Sequence, residues 1–408
     1  MAGNDRIKVA FLGNQLAPGG GAMSLFLMVQ SLDSNRYEKH VLLSDCRSEP
    51  MREELLSHCE KITVLEIDQV ESCQTSMTSP FGLALRQYKL TGLGPVVDYL
   101  KQNQIQVLHV NNSVFSHLYE EIKKQTGVKI VSHVRELIQH DGLGKVARTI
   151  ANNISRFSDA IVAISDNEAQ LFREHSNLFV VANPFDFSAI DIEPRALRNE
   201  LGVGKDCVLV AMMGRFQPEK GHLSFLRVLK RLLEHDLVQA EIKFLIVGVT
   251  PHKSGWKQLV KRLLGRDYRH KVLRFIAKNE LSDYVYLLPY TREVLPVVKE
   301  LDIMVRPSDH GDPWGRDIIE SMALGKPIVA FGKSTFYVEE GKTGFLIPPG
   351  NLTAMAEKIA LLADDPELRY TIGQDGVQKI RSKCDLEAYG PQIERVYESL
   401  LTQEPYPG

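Results

Sequence analysis

Short apolar runs alternate along the chain with amphipathic segments of helix length, and this alternation predicts parallel β-strands joined by helices. In the first half the predicted strands are residues 8–12, 40–44, 61–65, 107–110, 129–133, 160–164 and 178–181. In the second half they are residues 208–212, 243–247, 285–288, 303–306, 327–330 and 345–347. Because the alternation runs twice, the sequence predicts an α/β protein with two doubly wound, Rossmann-like domains.

The break between the halves falls near Asn183-Pro184-Phe185-Asp186, where a polar connection begins. We therefore predict an N-terminal domain over residues 1–185 and a C-terminal domain over residues 186–385. Residues 386–408 are expected to contribute a terminal helix that packs back toward the N-terminal domain. Parallel sheets bind ligands at the carboxyl ends of their strands, so the ligand loops of two facing sheets would line one central cleft. Such a cleft suits an enzyme that joins two substrates, one held by each domain.

The composition and net charge argue against several classes of function. The 408 residues are 44% hydrophobic and 25% charged with a formal net charge of −2, which argues against a general nucleic-acid binder. No apolar run approaches the ~18 residues of a membrane span, and the amino terminus lacks the apolar core of a signal peptide. The cysteines are odd in number and form no CxxC pair, which predicts reduced thiols in a cytoplasmic protein.

A segment with two carboxylates, residues 306–330, reads RPSDHGDPWGRDIIESMALGKPIVA. Asp312 is predicted to cap a helix, Pro313 to occupy its first position and Gly325 to lie at its end. Asp312 would then lie at the mouth of a site and Glu320 further in, an arrangement that suits a long polar ligand such as a nucleotide sugar. The alternative is a capped amphipathic helix with one solvated glutamate.

Two loops follow the first strand of each half. Gly19, Gly20 and Gly21 immediately precede an apolar helix, so the turn is either a phosphate contact or a structural tight turn. It is neither GxGxxG nor a P-loop, which disfavours dinucleotide binding and ATP hydrolysis. In the second half Arg215 and Lys220 flank a turn, either as a diphosphate site or as a solvated basic turn.

Polar residues also end two strands of the first half. His133 ends a predicted strand, where it is either a substrate contact or acid/base group, or a structural histidine. His109, Asn111, Asn112 and Ser113 form a similar strand end that could hydrogen-bond a sugar or an acceptor.

The sequence contains no HExxH, no clustered Cys/His ligands and no GxSxG, so no metal site is expected. Charge on a departing diphosphate would then be stabilised by arginine, lysine and helix N-termini. A basic stretch over residues 252–278 is either a solvated helix face or a peripheral contact with anionic lipid at the cytoplasmic membrane face.

In this order the motifs resemble the GT-B-fold, retaining glycosyltransferases of family 4, which transfer sugars from nucleotide donors. The resemblance is densest from residue 214 to residue 350. It rests on Gly214-Arg215, Lys220-Gly221, Pro307-Ser308, the block from Asp312 to Pro327, and Gly341-Lys342-Thr343-Gly344.

The resemblance implies roles for residues of the second half. Arg215 and Lys220 would bind the donor diphosphate and stabilise it as it leaves, and Glu320 would hold the ribose hydroxyls. Asp312 stands where the family usually has the first Glu of an E-x7-E pair, beside the donor sugar. The remaining residues implied to bind the donor are Trp314, Gly315 and Arg316.

In the first half the resemblance implies that His133 contacts the donor sugar. The turn at Gly19, Gly20 and Gly21 would lie against phosphate and acceptor. Asn112 and Ser113 are predicted to contact the acceptor.

The implied reaction retains anomeric configuration and uses no cofactor, since the nucleotide sugar is a substrate. UDP-sugar is the expected donor, with GDP-mannose next, and the acceptor is a hydroxyl of a glycan, lipid-linked or small-molecule compound. Two departures fall around the sugar: Asp in place of Glu at 312, and Phe336 where many relatives have a Glu. The alternatives are a same-fold epimerase or phosphorylase, and a degenerate scaffold subunit that binds nucleotide sugar.

Overall fold

A computed structural model describes residues 6–16, 19–46, 48–67, 92–138, 145–249, 267–308 and 315–401. The chain divides into two units, Met1–Pro184 with Cys384–Gly408, and Phe185–Lys383. The division lies within the predicted break at Asn183-Pro184-Phe185-Asp186. Each unit holds one parallel sheet with helices, so the prediction of two Rossmann-like α/β domains is confirmed.

The first unit contains a seven-stranded sheet in the order β3-β2-β1-β4-β5-β6-β7. Its strands are β1 (Ile7–Leu16), β2 (Tyr37–Cys46), β3 (Lys61–Val64), β4 (Val107–Val110), β5 (Lys129–Val134), β6 (Ala160–Ala163) and β7 (Leu178–Val180). Its helices before the division are α1 (Gly20–Ser31), α2 (Glu49–Leu56), α3 (Leu93–Gln102), α4 (Tyr119–Thr126), α5 (Lys145–Phe157) and α6 (Asp166–Ala169).

Both faces of this sheet are covered, which explains why the central residues of its strands are mostly apolar on both sides. Successive side chains point to opposite faces, so Val9 and Phe11 pack with α1 while Ala10 and Leu12 pack with α3 and α4.

The second unit contains a six-stranded parallel sheet in the order β10-β9-β8-β11-β12-β13. Its strands are β8 (Val208–Met213), β9 (Ile242–Val249), β10 (Val285–Pro289), β11 (Ile303–Arg306), β12 (Ile328–Phe331) and β13 (Gly344–Ile347). Its helices are α7 (Leu197–Leu201), α8 (His222–Glu234), α9 (Tyr268–Lys278), α10 (Leu295–Glu300), α11 (Arg316–Ala323), α12 (Leu352–Asp364) and α13 (Pro366–Cys384).

Each sheet has one point at which the order of strands reverses. In the first unit it lies between β1 and β4, and in the second between β8 and β11. Helices on the two sides of such a point diverge and leave a crevice at the carboxyl ends of the strands, where open α/β sheets bind ligands. The loops after β1 and β8 are therefore the places to look for a site.

The last helix, α14 (Leu386–Leu401), packs on α1 of the first unit. Its buried face contributes Tyr389, Ile393, Val396 and Tyr397 to the core that α1 shares with the sheet. The helices approach so closely that a Cβ at Gly390 would lie 2.1 Å from the carbonyl oxygen of Ser31.

Candidate functional site

The loop that follows β8 lies at the strand-order reversal of the second unit. The amide of Gly214 donates to the carbonyl of Val247, two residues before the end of β9, over 2.9 Å. From there the chain passes through Arg215 and a short 3-10 helix, Pro218–Lys220, before α8 begins. The two predicted cations thus lie on one loop at the carboxyl edge of the sheet.

The end of this loop is fixed by its contact with the residues after β11. Gly221 has φ +77°, and a Cβ there would lie 1.7 Å from the carbonyl oxygen of Pro307. Only glycine can occupy this position without moving the backbone. The hydroxyl of Ser308 donates to the carbonyl oxygen of Glu219 over 3.0 Å, which adds a second tie.

The two cations differ in their surroundings. Arg215 is exposed, whereas Lys220 is partly buried and its aliphatic stem lies over Gly214. A Cβ at Gly214 would be 3.3 Å from Cγ of Lys220, so a side chain there would crowd the lysine. The fold therefore restricts the lysine stem, while the arginine fork is open to a ligand.

A buried histidine that the sequence reasoning missed lies behind the loop. The ring of His222 stacks on Phe216 with centroids 4.9 Å apart. The pKa of His222 is lowered to about 4, mainly by burial and in smaller part by the charge of Lys220. His222 is thus neutral near neutral pH and adds no charge to the loop. The sequence offered no signal beyond its position after Lys220-Gly221.

Helix α11 carries the predicted glutamate and begins at Arg316, with Gly315 as its N-cap residue. The predictions that Asp312 caps this helix and that Pro313 is its first residue are therefore wrong. The buried Arg306 side chain at the end of β11 pairs with Asp317 at 2.7 Å, which places an acidic group in the first turn instead. Asp312 and Trp314 lie outside the described residues.

The end of α11 is as predicted. The amide of Gly325, which has φ +71°, donates to the carbonyl oxygen of Met322 over 3.0 Å. The amide of Lys326 donates to the carbonyl of Ser321 over 2.9 Å, which completes a Schellman motif.

Glu320 is held by Arg316 from the preceding turn of α11. Arg316 Nε donates to Glu320 Oε1 over 2.9 Å, and both side chains are 13% exposed. Burial raises the pKa of Glu320, and the neighbouring Arg316 charge opposes that rise. The structure thus pairs two of the predicted donor residues with each other. One carboxylate oxygen is committed to Arg316, and the carboxylate retains acceptor capacity for hydroxyl groups.

In the first unit the glycines after β1 are part of α1 itself. Gly19 is the N-cap residue, and Gly20 and Gly21 are the first two residues of the helix. The prediction that all three precede the helix is therefore wrong for Gly20 and Gly21. The absence of side chains leaves the first amides of a buried helix open to an approaching group.

The predicted acceptor residues adjoin the end of β4. The amide of Asn14 donates to Asn112 Oδ1 over 3.0 Å, so this side chain ties the end of β1 to the end of β4. Ser113 begins a 3-10 helix, Ser113–Leu118, and its hydroxyl faces Glu136. Burial raises the pKa of Glu136, and the Ser113 hydroxyl opposes the rise. Glu136 was not predicted to have a role, although it follows His133 closely in the sequence.

His133 lies one residue before the end of β5 and is buried in a polar network. Its Nδ1 is 3.0 Å from Nε2 of His109 and 3.3 Å from Nη2 of Arg135. Arg135 Nε donates to Asn111 Oδ1 over 2.7 Å. Arg135 is a second residue that sequence reasoning missed, because its partners come from other strand ends.

Other expectations concern features away from these loops. Within the described residues there is no group of three or more His, Cys, Asp or Glu side chains arranged to hold a metal ion. The four cysteines in the described part of the chain are free: Cys46, Cys59, Cys207 and Cys384. None of the described helices combines the length and apolarity of a membrane span. Most of the basic stretch over residues 252–278 lies outside the described ranges.

The fold belongs to the GT-B architecture of two Rossmann-like domains. Two family models match the chain: glycosyl transferases group 1 over residues 194–379, and glycosyltransferase family 4 over residues 18–188. The chain belongs to glycosyltransferase family 4, and the resemblance seen in the sequence is confirmed.

The individual relatives share about a third or less of their residues with this chain where they align. The chain is 31% identical over 212 residues to the D-inositol 3-phosphate glycosyltransferase of Corynebacterium efficiens, covering 51% of this chain and 46% of that one. It thus spans about half the length of that relative. It is 23% identical to the N-acetyl-alpha-D-glucosaminyl L-malate synthase of Bacillus anthracis, over 78% of this chain and 81% of the relative.

Among solved structures, Anabaena HepE in complex with UDP-glucose superposes with a TM-score of 0.75 at 21% identity. The match covers 97% of this chain and 100% of that one, and it demonstrates a common fold.

Proposed function

We propose that this protein transfers a sugar from a nucleoside diphosphate donor to a hydroxyl group of an acceptor. The observation that carries the proposal is the loop after β8, which holds Arg215 and Lys220 at the strand-order reversal of the second unit. Family membership supports the same reading.

The loop suits a diphosphate for electrostatic reasons. When the bond between the anomeric carbon and the diphosphate oxygen breaks, the electron pair stays with the diphosphate, whose negative charge increases. Arg215 can bind two phosphate oxygens with its planar fork, and Lys220 supplies a point charge. Cations already in place stabilise the leaving group without reorganisation during the reaction.

Glu320 is proposed to accept hydrogen bonds from the ribose hydroxyls. Arg316 orients its carboxylate through the 2.9 Å contact, which reduces the freedom lost on binding. By family resemblance, Asp312, Trp314 and Gly315 are proposed to surround the donor sugar, and His133 to contact it. Gly19, Gly20 and Gly21 are proposed to lie against phosphate and acceptor.

UDP-sugar is the proposed donor class, with GDP-mannose second. A protein of the same fold, Anabaena HepE, has been crystallised with UDP-glucose, which supports the choice of base. Two relatives are named for small-molecule acceptors, inositol 3-phosphate and malate. The acceptor of this chain is proposed to be a hydroxyl compound among glycans, lipid-linked molecules and small polar molecules, with Asn112 and Ser113 on its side.

The proposed reaction retains the configuration of the anomeric carbon. The acceptor oxygen bonds to that carbon on the face from which the diphosphate leaves, and the acceptor proton is released with the diphosphate. Stabilisation of the leaving charge is the main contribution of the protein, without a metal ion.

The test is to incubate the purified protein with UDP- and GDP-sugars and an acceptor mixture, and to follow nucleoside diphosphate release. Acceptor-dependent release, with a product of the same anomeric configuration by NMR, is the expected result. Formation of an isomeric nucleotide sugar without acceptor would indicate an epimerase. A requirement for inorganic phosphate would indicate a phosphorylase. Binding of donor without turnover of any kind would favour a scaffold subunit.

A further inference from the structure

A continuous line of hydrogen-bonding groups crosses the core of the first unit from α14 to β5. The Tyr397 hydroxyl lies 2.7 Å from Nδ1 of His109, and Nε2 of His109 lies 3.0 Å from Nδ1 of His133. Arg135 Nη2 lies 3.3 Å from the same His133 nitrogen. Tyr397, His109 and His133 are each fully or almost fully buried.

The chemistry of arginine fixes the direction of these hydrogen bonds. A guanidinium can only donate, so Nδ1 of His133 must accept. His109 Nε2 must then donate to that same Nδ1. Burial lowers the pKa of His109 to about 3, so this histidine is neutral and its Nδ1 accepts from the Tyr397 hydroxyl. One proton arrangement therefore satisfies all three contacts.

The same arrangement leaves the proton of His133 on Nε2. That nitrogen is buried and has no hydrogen-bond partner among the described residues. A buried N–H group without a partner is unfavourable, so it readily donates to any acceptor that reaches it. Burial and the Arg135 charge both hold the pKa of His133 well below its usual range, so protonation does not supply a second donor.

Other titratable groups near Tyr397 do not reverse this assignment. Tyr37 packs edge-on against Tyr397 with ring centroids 5.7 Å apart. Tyr389 and Glu394 lie on the same helix, and Glu394 is paired with Arg36 at 2.7 Å. The nearby negative charge of Glu394 and burial favour the protonated hydroxyl of Tyr397, which is the donor form.

We infer that Tyr397, His109 and Arg135 are positioning residues that hold His133 as a neutral imidazole with its proton on Nε2. His133 then donates a hydrogen bond to an oxygen of the donor sugar and does not act as a general base. The identity of the accepting oxygen rests on the proposed function, whereas the proton assignment does not. A helix at the far end of the chain thereby sets the protonation of a substrate contact.

The first experiment measures the histidine tautomers in the ligand-free protein by long-range 1H–15N NMR. His133 is expected to show an unprotonated Nδ1 and a protonated Nε2 throughout about pH 5.5 to 8.5. A protonated Nδ1, or titration of the ring within that range, would overturn the inference. This measurement requires no variant and no substrate.

Tyr397→Phe then tests the positioning role. Loss of the hydroxyl removes the donor to His109 Nδ1, so His109 can adopt its other tautomer and the Nε2–H form of His133 becomes less populated. We expect the Nδ1 resonance of His133 to move toward the protonated position and kcat/KM to fall about tenfold. The matched control is Tyr37→Phe, since the Tyr37 hydroxyl has no partner among the described residues. An unchanged His133 spectrum in Tyr397→Phe would contradict the relay.

The contact with substrate is tested separately by His133→Gln and His133→Asn. A Gln amide places an N–H near the position of Nε2, whereas an Asn amide places it near Nδ1. The Asn variant should lose about 10- to 100-fold in kcat/KM and the Gln variant clearly less. Equal losses would overturn the assignment of His133 as an Nε2 donor. Failure of the wild-type protein to bind any nucleotide sugar would count against the proposed function and leave the NMR result standing.

Discussion

At the scale of single residues, two features of the environment of Glu320 have opposite effects on its pKa. Burial raises its pKa above the ordinary value of 4.5, and the Arg316 charge opposes the rise. The carboxylate is proposed to accept from the ribose hydroxyls, and the ionised form is the better acceptor. As pH falls through the raised pKa, that form is lost.

We therefore predict that UDP affinity of the wild-type protein declines as pH is lowered from about 8 to about 5. In Glu320→Gln the affinity should be lower near neutral pH, and this component of the pH dependence should vanish. Calorimetric titration of both proteins isolates the component as a difference, which cancels the titration of UDP itself. Exposed Glu357, changed to Gln, serves as the control and should keep the wild-type profile. Parallel profiles for wild type and Glu320→Gln would show that Glu320 does not contact the ligand.

The types of the site residues and the loops that carry them could be predicted from the sequence, but the contacts between their side chains could not. Arg215 and Lys220 lie on the predicted loop because strand ends are visible in the apolar pattern. The pairing of Arg306 with Asp317 was not visible, and neither was the start of α11 at Arg316, beyond Pro313. One hydrogen-bond partner of His109 is Tyr397, 288 residues away, and no local pattern encodes such a contact.

At the scale of elements, the loop after β8 depends on the close approach of Gly221 to Pro307. Gly221→Ala would force a positive φ of +77° on alanine and a Cβ at 1.7 Å from a carbonyl oxygen. A positive φ alone costs about 1–2 kcal/mol, or about 2–8 °C in the melting temperature of a unit of this size.

The matched control is Gly202→Ala, which has φ +65° and no heavy atom within 4 Å of the added Cβ. We predict that Gly221→Ala lowers the melting temperature more than twice as much as Gly202→Ala. It should also weaken UDP binding, because the cations of the loop are displaced. Equal effects of the two substitutions in thermal unfolding would mean that the contact with Pro307 is unimportant.

A second element contact holds α14 on α1. In Gly390→Ala the added Cβ would meet the Ser31 carbonyl oxygen at 2.1 Å, so the helices must separate. We predict a loss of stability of the first unit of about 2 kcal/mol or more, seen as a lower midpoint in urea unfolding. Gly376→Ala in α13 is the control, since its nearest contact is an ordinary 3.6 Å and alanine favours the helix. A stabilised Gly390→Ala would contradict the close packing of α14.

The presence of most strands could be predicted from the sequence, because apolar segments stand out between polar turns. Strand lengths were less so: β1 continues to Leu16 because it pairs with β2 as far as Cys46, beyond the point where the apolar pattern ends. The start of α1 at Gly20 was also missed, since glycine is a poor helix former and the helix is stabilised by its buried face.

At the scale of the whole molecule, the two units repeat one plan. The first six strands of the first unit and all six of the second follow the same order, so each has a reversal between its first and fourth strands. The apolar pattern predicted both sheets, whereas it does not encode the order of their strands, since several orders are compatible with right-handed crossover connections. Family membership and the fold agree on this plan.

The proposed function requires that the loop after β8 binds the diphosphate of a nucleotide sugar. Calorimetric titration of UDP, GDP and ADP into the wild-type protein and Lys220→Ala tests it most directly. The control is Lys230→Ala, a partly exposed lysine of α8 that pairs with Glu234 at 3.3 Å. We predict that UDP binds the wild-type and Lys230→Ala proteins equally, and that Lys220→Ala raises Kd about 10- to 100-fold. Equal UDP affinity in Lys220→Ala, or no binding of any of the three nucleotides, would contradict the assignment of this loop to the diphosphate.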